Sequence, residues 1–405
     1  MKTNTLKIIF VITLLSMNAI GQGVWTQKAN LPGNIRDNAA SFTIGAKAYV
    51  CTGYDPLTGA YQDFWEWDQA TNVWIQKANF PGVKRSNAVG FSIGTKGYIS
   101  NGYDPLNGVM KNDLWEWNQA TNTWTQKANF PSVGRMAAVA FSIGTKGYVG
   151  TGQSVSGNYY KDLWEWDQPT NTWLQKANFP GVARYFAIGF AIGTKGYIGT
   201  GEDASGNDYQ DFYEWDQTSN TWVQKANYGG GIVHAAVGFS IGSKGYIGTG
   251  GVSTGSNVSV QFWEWDQSTN SWGQKANFAG NARLSSTGFS IGTKGYIGTG
   301  IDGTSALKDL WEWNPSGVVG VDEINVVNMM SVYPNPFNQQ TYITFEQEQK
   351  NCIVKIIDML GKEIKKVNFS GKQLTIEKGD MLPGIYFINI TSEEGFISKK
   401  IIINK

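Results

Sequence analysis

A single motif, Trp-x-Gln-Lys-Ala-Asn, recurs at Trp25, Trp74, Trp124, Trp173, Trp222 and Trp272, at intervals of 49, 50, 49, 49 and 50 residues. A period this long and this even restricts the chain to an array of near-identical supersecondary units that bury their faces against one another. A second motif, Trp-Glu-Trp, begins at Trp65, Trp115, Trp164, Trp263 and Trp311, with Tyr213-Glu214-Trp215 as its variant. A third, Phe-Ser-Ile-Gly-Thr-Lys-Gly-Tyr, is anchored at Phe42, Phe91, Phe141, Phe190, Phe239 and Phe289. The first two motifs account for all 17 tryptophans. Tryptophan is therefore a structural element of the repeat.

Each repeat divides into four strand-sized pieces. In the third copy, piece A runs from Arg135 to Ile143, B from Lys146 to Thr151, C from Asp162 to Asp167 and D from Thr172 to Ala177. All are short, rich in aromatic or β-branched residues, and bounded by Gly, Pro, Asn or Asp. No 3.6-residue periodicity supports helices. Four strands per unit predict the blades of a β-propeller. The chain opens with a lone piece D at Trp25 and ends its sixth set at piece C, near Trp313. The N-terminal strand is therefore expected to complete the last of six blades, leaving no unpaired edge at the seam.

Residues 1–21 read as a signal peptide, with Lys2 and Lys7 before an apolar run from Ile8 to Leu15 and small residues at Ala19-Ile20-Gly21. That run is too short to span a bilayer comfortably, and no later stretch is apolar enough. The net charge is +1 with both signs interspersed, so no basic block is available for a nucleic acid. Cys51 and Cys352 fall in different domains and make no disulfide framework.

Gly-Tyr-Ile-Gly-Thr-Gly, Asp-Leu-Trp-Glu-Trp-Asp, Thr-Asn-Thr-Trp and Phe-Pro-x-x-x-Arg together resemble the kelch repeat across residues 22–314, with Gly250-Gly251 nearest the family's diglycine. The resemblance implies a six-bladed propeller. It also raises enzymes, because kelch propellers include them. A copper oxidase resembling galactose oxidase would need at least two histidines, and this chain has only His234. A sialic acid mutarotase-like isomerase would need an acid/base pair and an arginine near the channel, roles that Arg36, Glu202 and His234 could fill. No Ser/His/Asp order, zinc spacing or phosphate loop is present.

Residues shared by all six repeats, such as Glu66, Glu116, Glu165, Glu214, Glu264 and Glu312, are expected to pair with repeat lysines or turn amides. The residues that break the repeat are more informative. Antiparallel strands put the A–B and C–D turns on one face of the disc, where the sequence is almost invariant. The D–A and B–C connections share the other face, where it varies. Variable loops on a rigid scaffold are where recognition normally resides. The candidate ligand surface there comprises Asp37, Asn38, Tyr54, Asp55, Asn87, Tyr103, Asp104, Tyr185, Glu202 and His234. It is expected to be ringed by Arg36, Arg85, Arg135, Arg184 and Arg283, with Val233 breaking the ring. Alternatively, the arginines tie neighbouring blades together and the loops drift. Asp55, Asp104, Asp203 and Asp302 recur after piece B, but Asp-Pro is ordinary turn chemistry, so neither a metal nor another cofactor is expected.

After a linker at residues 315–330 the composition changes. Residues 331–405 lack tryptophan and read as about seven short strands, a small β-sandwich. Tyr333-Pro334-Asn335-Pro336, Leu360-Gly361-Lys362, Leu382-Pro383-Gly384-Ile385-Tyr386 and Lys399-Lys400 resemble the type A C-terminal sorting domain of the type IX secretion system. The resemblance implies a Gram-negative, Bacteroidota-like host, the secretion machinery as partner, and a product released or held at the outer surface. The chain thus reads as an exported protein whose propeller binds a glycan or a protein, with a carbohydrate-active enzyme as the alternative.

Overall fold

The computed structural model describes residues 23–254, 258–317, 330–358, 362–392 and 395–404. The expected signal peptide at 1–21 and most of the expected linker lie outside them. The chain divides into two compact units, one ending at Gly317 and the other starting at Val318. The described residues are all β, with no helix.

The first unit is a six-bladed propeller. Each blade is a four-stranded antiparallel sheet, for example Val139–Ile143, Lys146–Gly150, Leu163–Asp167 and Thr172–Lys176 in order A-B-C-D. The sixth blade joins Thr287–Ile291, Lys294–Gly298 and Leu310–Asn314 to the N-terminal strand Val24–Lys28, closing the ring as its order of pieces predicts. Burial peaks at the second strand and falls from there to the rim. Strand B is buried on both faces and strand D mostly exposed, because each blade is packed between neighbours except at its rim. Strand A is shorter than piece A suggests: it begins at Val139, and Ala137 and Ala138 before it line the axis.

The repeat motifs are the joints between blades. A Cβ on Gly147 would lie 2.2 Å from the Phe91 ring of the preceding blade, so the Gly of Lys-Gly-Tyr is a socket that any larger side chain would fill. Trp166 packs 4.9 Å from Tyr98 of that blade, whose hydroxyl accepts a hydrogen bond from Gln168. Asn122 sits in the left-handed region at φ 54°, tolerable for Asn. Its carbonyl accepts both Trp117 Nε1 and the amide of Ala78 one blade back. The sixth blade has no such asparagine, and Trp313 Nε1 lacks that acceptor. All six repeat glutamates pair with a lysine and accept a tyrosine hydroxyl, as Glu165 does with Lys176 and Tyr148.

Around the axis, Asn38, Asn87, Ala137, Phe186, Ala235 and Ser285 all adopt φ between 49° and 56°. Each donates its amide to the carbonyl of the equivalent residue one blade back, at 2.9 to 3.2 Å, making a closed ring of six hydrogen bonds. The ring holds in place a backbone conformation that costs a non-glycine residue on the order of 1 kcal/mol or more.

Among its described residues the C-terminal unit has five strands, where about seven short ones are expected from sequence. The hairpin Gln340–Asp358 and Glu363–Glu377 is long because register shifts after Thr344, Gln349 and Ile356 let it bend rather than break. Its first half carries Met330–Tyr333, and its second half carries Gly384–Ser392 and Gly395–Ile403. Ile343, Phe345, Val354, Ile356, Ile388 and Ile401 from both halves share one buried core. A bridge from Phe337 to Ile403 nearly closes the sheet.

Candidate functional site

The arginines do not ring the variable face. Arg36, Arg85, Arg135, Arg184 and Arg283 are each fully buried inside their own blade. Each forms a two-pronged pair with the aspartate that opens strand C: Asp63, Asp113, Asp162, Asp211 and Asp309. Arg135 shows the pattern, with Nη1 2.5 Å and Nη2 3.0 Å from Asp162, Nη1 2.8 Å from the Thr151 carbonyl, and the guanidinium 4.7 Å from the Phe130 ring. Burial alone pushes the Asp63 and Asp113 carboxyls up, but hydrogen bonds and charge from Arg36 and Arg85 outweigh it and hold both below the usual range. Five charge pairs are thus enclosed and satisfied, and none is available to a ligand. Where Val233 replaces the arginine, Gln261 replaces the aspartate and still accepts Trp263 Nε1 at 3.1 Å.

The loop aspartates are similarly occupied. Asp55 accepts the Leu57 amide and the Thr58 hydroxyl, and Asp104 accepts the Leu106 and Asn107 amides. Both carboxyls shape their own turns, and these hydrogen bonds lower their pKa against the upward push of burial. The main chains of Tyr54 and Tyr103 pair with Asp37 and Ser86. Asp37 is 7% exposed, its Oδ1 has no partner, and burial pushes its carboxyl up to about 6 despite a hydrogen bond from Asn38.

What reaches the mouth of the channel is uneven around the ring. A cavity of about 110 Å³ lies on the axis, lined by the six left-handed residues and the small residues after them. Ser285, Asn38 and Asn87 give its polar side, and Ala137 and Ala235 are featureless. Phe186 is a bulky side chain forced into φ 51°, which an ordinary packing position would avoid. Tyr185 stands 4.5 Å from Phe186 and 5.1 Å from Tyr159. Burial and the Glu202 charge raise the pKa of both tyrosine hydroxyls. Tyr185 donates to Glu202 at 3.2 Å.

Beside these rings lies a compact polar group. His234 Nδ1 is 2.7 Å from Asp208 Oδ1 and 3.5 Å from Glu202 Oε2. The Ser253 amide donates to Asp208, and its hydroxyl lies 2.6 Å from Glu202 Oε2. Glu202 and Asp208 come from the B–C loop of the fourth blade. His234 and Ser253 come from the two connections of the fifth. The structure therefore gathers three of the sequence-derived candidates, Tyr185, Glu202 and His234, at one seam. Asp37, Asn38 and Asn87 lie on other blades. Tyr159, Phe186, Asp208 and Ser253 also meet here; all four lie in stretches of this face where the repeat diverges, although none stands among the individual residues singled out from sequence.

In the C-terminal unit the motif residues are mostly structural. Asn335 donates to the Lys400 carbonyl at 3.0 Å and accepts the Ile402 amide at 2.8 Å. Lys362 donates its amide to Asp358, Tyr386 donates to the Leu382 carbonyl, and Lys399 reaches the Met330 carbonyl. Tyr333 is exposed, as are Pro383, Gly384's neighbour in the turn, and Lys400. Pro334 and Pro336 flank Asn335, and Gly361 lies outside the described residues.

Residues 331–404 match the secretion system C-terminal sorting domain. That match indicates export by the type IX system to the exterior or the cell surface. The propeller is similar to the solved structure of YjhT, with a TM-score of 0.61 and 16% identity, over 70% of this chain and 95% of that one. At that identity the likeness shows the fold alone. No curated protein matches the sequence. No helix among the described residues is long and apolar enough to cross a membrane.

Proposed function

We propose that this exported kelch-type propeller binds a glycan or protein ligand at the channel mouth, on the face of the D–A and B–C connections. The observation that carries the reading is the meeting of Tyr159, Tyr185 and Phe186 with Glu202 and His234, where the six-fold pattern fails. Aromatic faces beside hydrogen-bonding carboxylates suit the apolar faces and hydroxyls of a sugar, or a basic residue of a protein. The enclosed arginines leave this seam acidic, so an anionic ligand is disfavoured.

The test is a screen of the whole protein against glycan and protein arrays, repeated with Tyr185→Ala and with Thr194→Lys on the opposite face. Binding weakened tenfold or more by the first and unchanged by the second supports the reading; the reverse refutes it. A second reading, a carbohydrate-active enzyme of the isomerase type, draws on the His234–Asp208 contact as an acid/base pair. It lacks the arginine such a site needs, because Arg36 is enclosed with Asp63. Turnover of a bound glycan, abolished in His234→Gln, would select it.

A further inference from the structure

We propose that Glu202, Asp208 and His234 form a site for one divalent transition-metal ion of the zinc class, held between the fourth and fifth blades. The three donor atoms lie within 4.8 Å of one another. A tetrahedral ion with bonds of about 2.0 Å holds its ligand atoms roughly 3.3 Å apart. The distances of 2.7 and 3.5 Å from His234 Nδ1 bracket that value, so the set needs only small side-chain shifts.

The charge at this place is incomplete without a cation. The Asp208 side chain is 1% exposed and that of Glu202 15% exposed. Among the described residues, the one ion-pair partner of either is His234. Two enclosed carboxylates therefore face at most one positive charge, an unfavourable arrangement in a poorly solvated place. Tyr185 donates to Glu202 and the Ser253 amide to Asp208, but these neutral donors add no positive charge, and neither does the Ser253 side chain. Its hydroxyl lies 2.6 Å from Glu202, 3.1 Å from Asp208 and 3.5 Å from His234 Nδ1, capping all three donors, yet it has one proton to give. Such an oxygen stands where a fourth neighbour of the ion would be.

The donor chemistry selects among metals. One imidazole nitrogen with two carboxylates suits zinc or its first-row neighbours, whereas calcium asks for six to eight oxygens. The arrangement is also not a by-product of the repeat. The positions equivalent to His234 are Asp37, Ser86, Met136, Tyr185 and Leu284, and among the described residues no other blade brings three such donors together. The bland account, a His–Asp clasp between blades, predicts no metal affinity.

The chain makes the experiment clean, since His234 is its one histidine and both cysteines are buried. The whole protein, purified without a histidine tag and stripped with chelator, is titrated calorimetrically with ZnCl₂ and, separately, CaCl₂. One equivalent of zinc should bind, with calcium at least a hundredfold weaker. His234→Ala and the near-isosteric Glu202→Gln should each weaken zinc binding at least tenfold. Co²⁺ bound to the unmutated protein should show the visible absorption of a four-coordinate ion, a readout that survives if a variant fails to fold. Absence of one-equivalent binding, undiminished affinity in a folded His234→Ala, or a preference for calcium overturns the proposal. Because the readout is metal and protein alone, the result is independent of whether a glycan or protein ligand is found.

Discussion

Replacing Arg85 by Val should destabilise the propeller strongly, and replacing its partner as well should restore most of the loss. Arg85 holds Asp113 with Nη1 at 2.5 Å and Nη2 at 2.8 Å, and donates to the Asn101 and Val83 carbonyls. Its removal leaves a carboxylate with 18% side-chain exposure, held only by Trp115 Nε1 at 2.9 Å and a backbone amide. Breaking one half of such an enclosed pair costs about 3–5 kcal/mol. The fifth blade already carries the repaired version, Val233 with Gln261. Arg85→Val combined with Asp113→Gln removes both charges and keeps an acceptor for Trp115. The double variant should therefore lose about 2 kcal/mol or less, giving a coupling energy on the order of 2 kcal/mol or more. Urea unfolding followed by tryptophan fluorescence and by far-UV circular dichroism measures each variant. A single variant within 1 kcal/mol of the parent, or a double variant equal to the sum of the singles, would refute the idea that these arginines act as enclosed ion pairs.

Other outcomes follow from the same geometry. Asp37→Asn should stabilise the protein by on the order of 1–3 kcal/mol at pH 8. The Asp37 carboxyl is raised to about 6 in the fold, so the stability it withholds is restored as pH falls towards its ordinary value, and the benefit of the amide should vanish below pH 4. Deleting the chain through Lys28 removes the strand that closes the sixth blade and strips Trp25 from Phe262, Phe278 and Trp313. It should lower the unfolding midpoint sharply and expose the Leu310–Asn314 edge to aggregation, as light scattering would show. Removing residues 331–405 should leave the protein in the periplasm, whereas unaltered surface display would rule out the sorting role.

The number of blades, the closing strand and the two unlike faces were legible because each follows from motif order and strand alternation, which survive in a single sequence. The arginines were misplaced because a repeated Arg before strand A can project to the mouth or fold back. Only a partner decides between these, and Asp63 lies 27 residues from Arg36. The signal was nonetheless present: Val233 and Gln261 depart from the pattern together, as two halves of one ion pair must. The stretches that hold Asp208 and Ser253 were legible as diverging connections of this face, but their meeting was not, since loops of differing length bring them together across a blade boundary that sequence spacing does not encode. The C-terminal strands were undercounted in length for a related reason. Bulges after Thr344 and Gln349 let one strand continue through what reads as a turn.

Recognition is proposed to take place where the repeat is broken between the fourth and fifth blades. Hydrogen exchange of the whole protein, free and saturated with a ligand from the array screen, maps that place directly. The account predicts new protection at residues 185–186, 202–208 and 234–236, with the Ile-Gly-Thr-Lys-Gly turns unchanged. Protection confined to those invariant turns would contradict it.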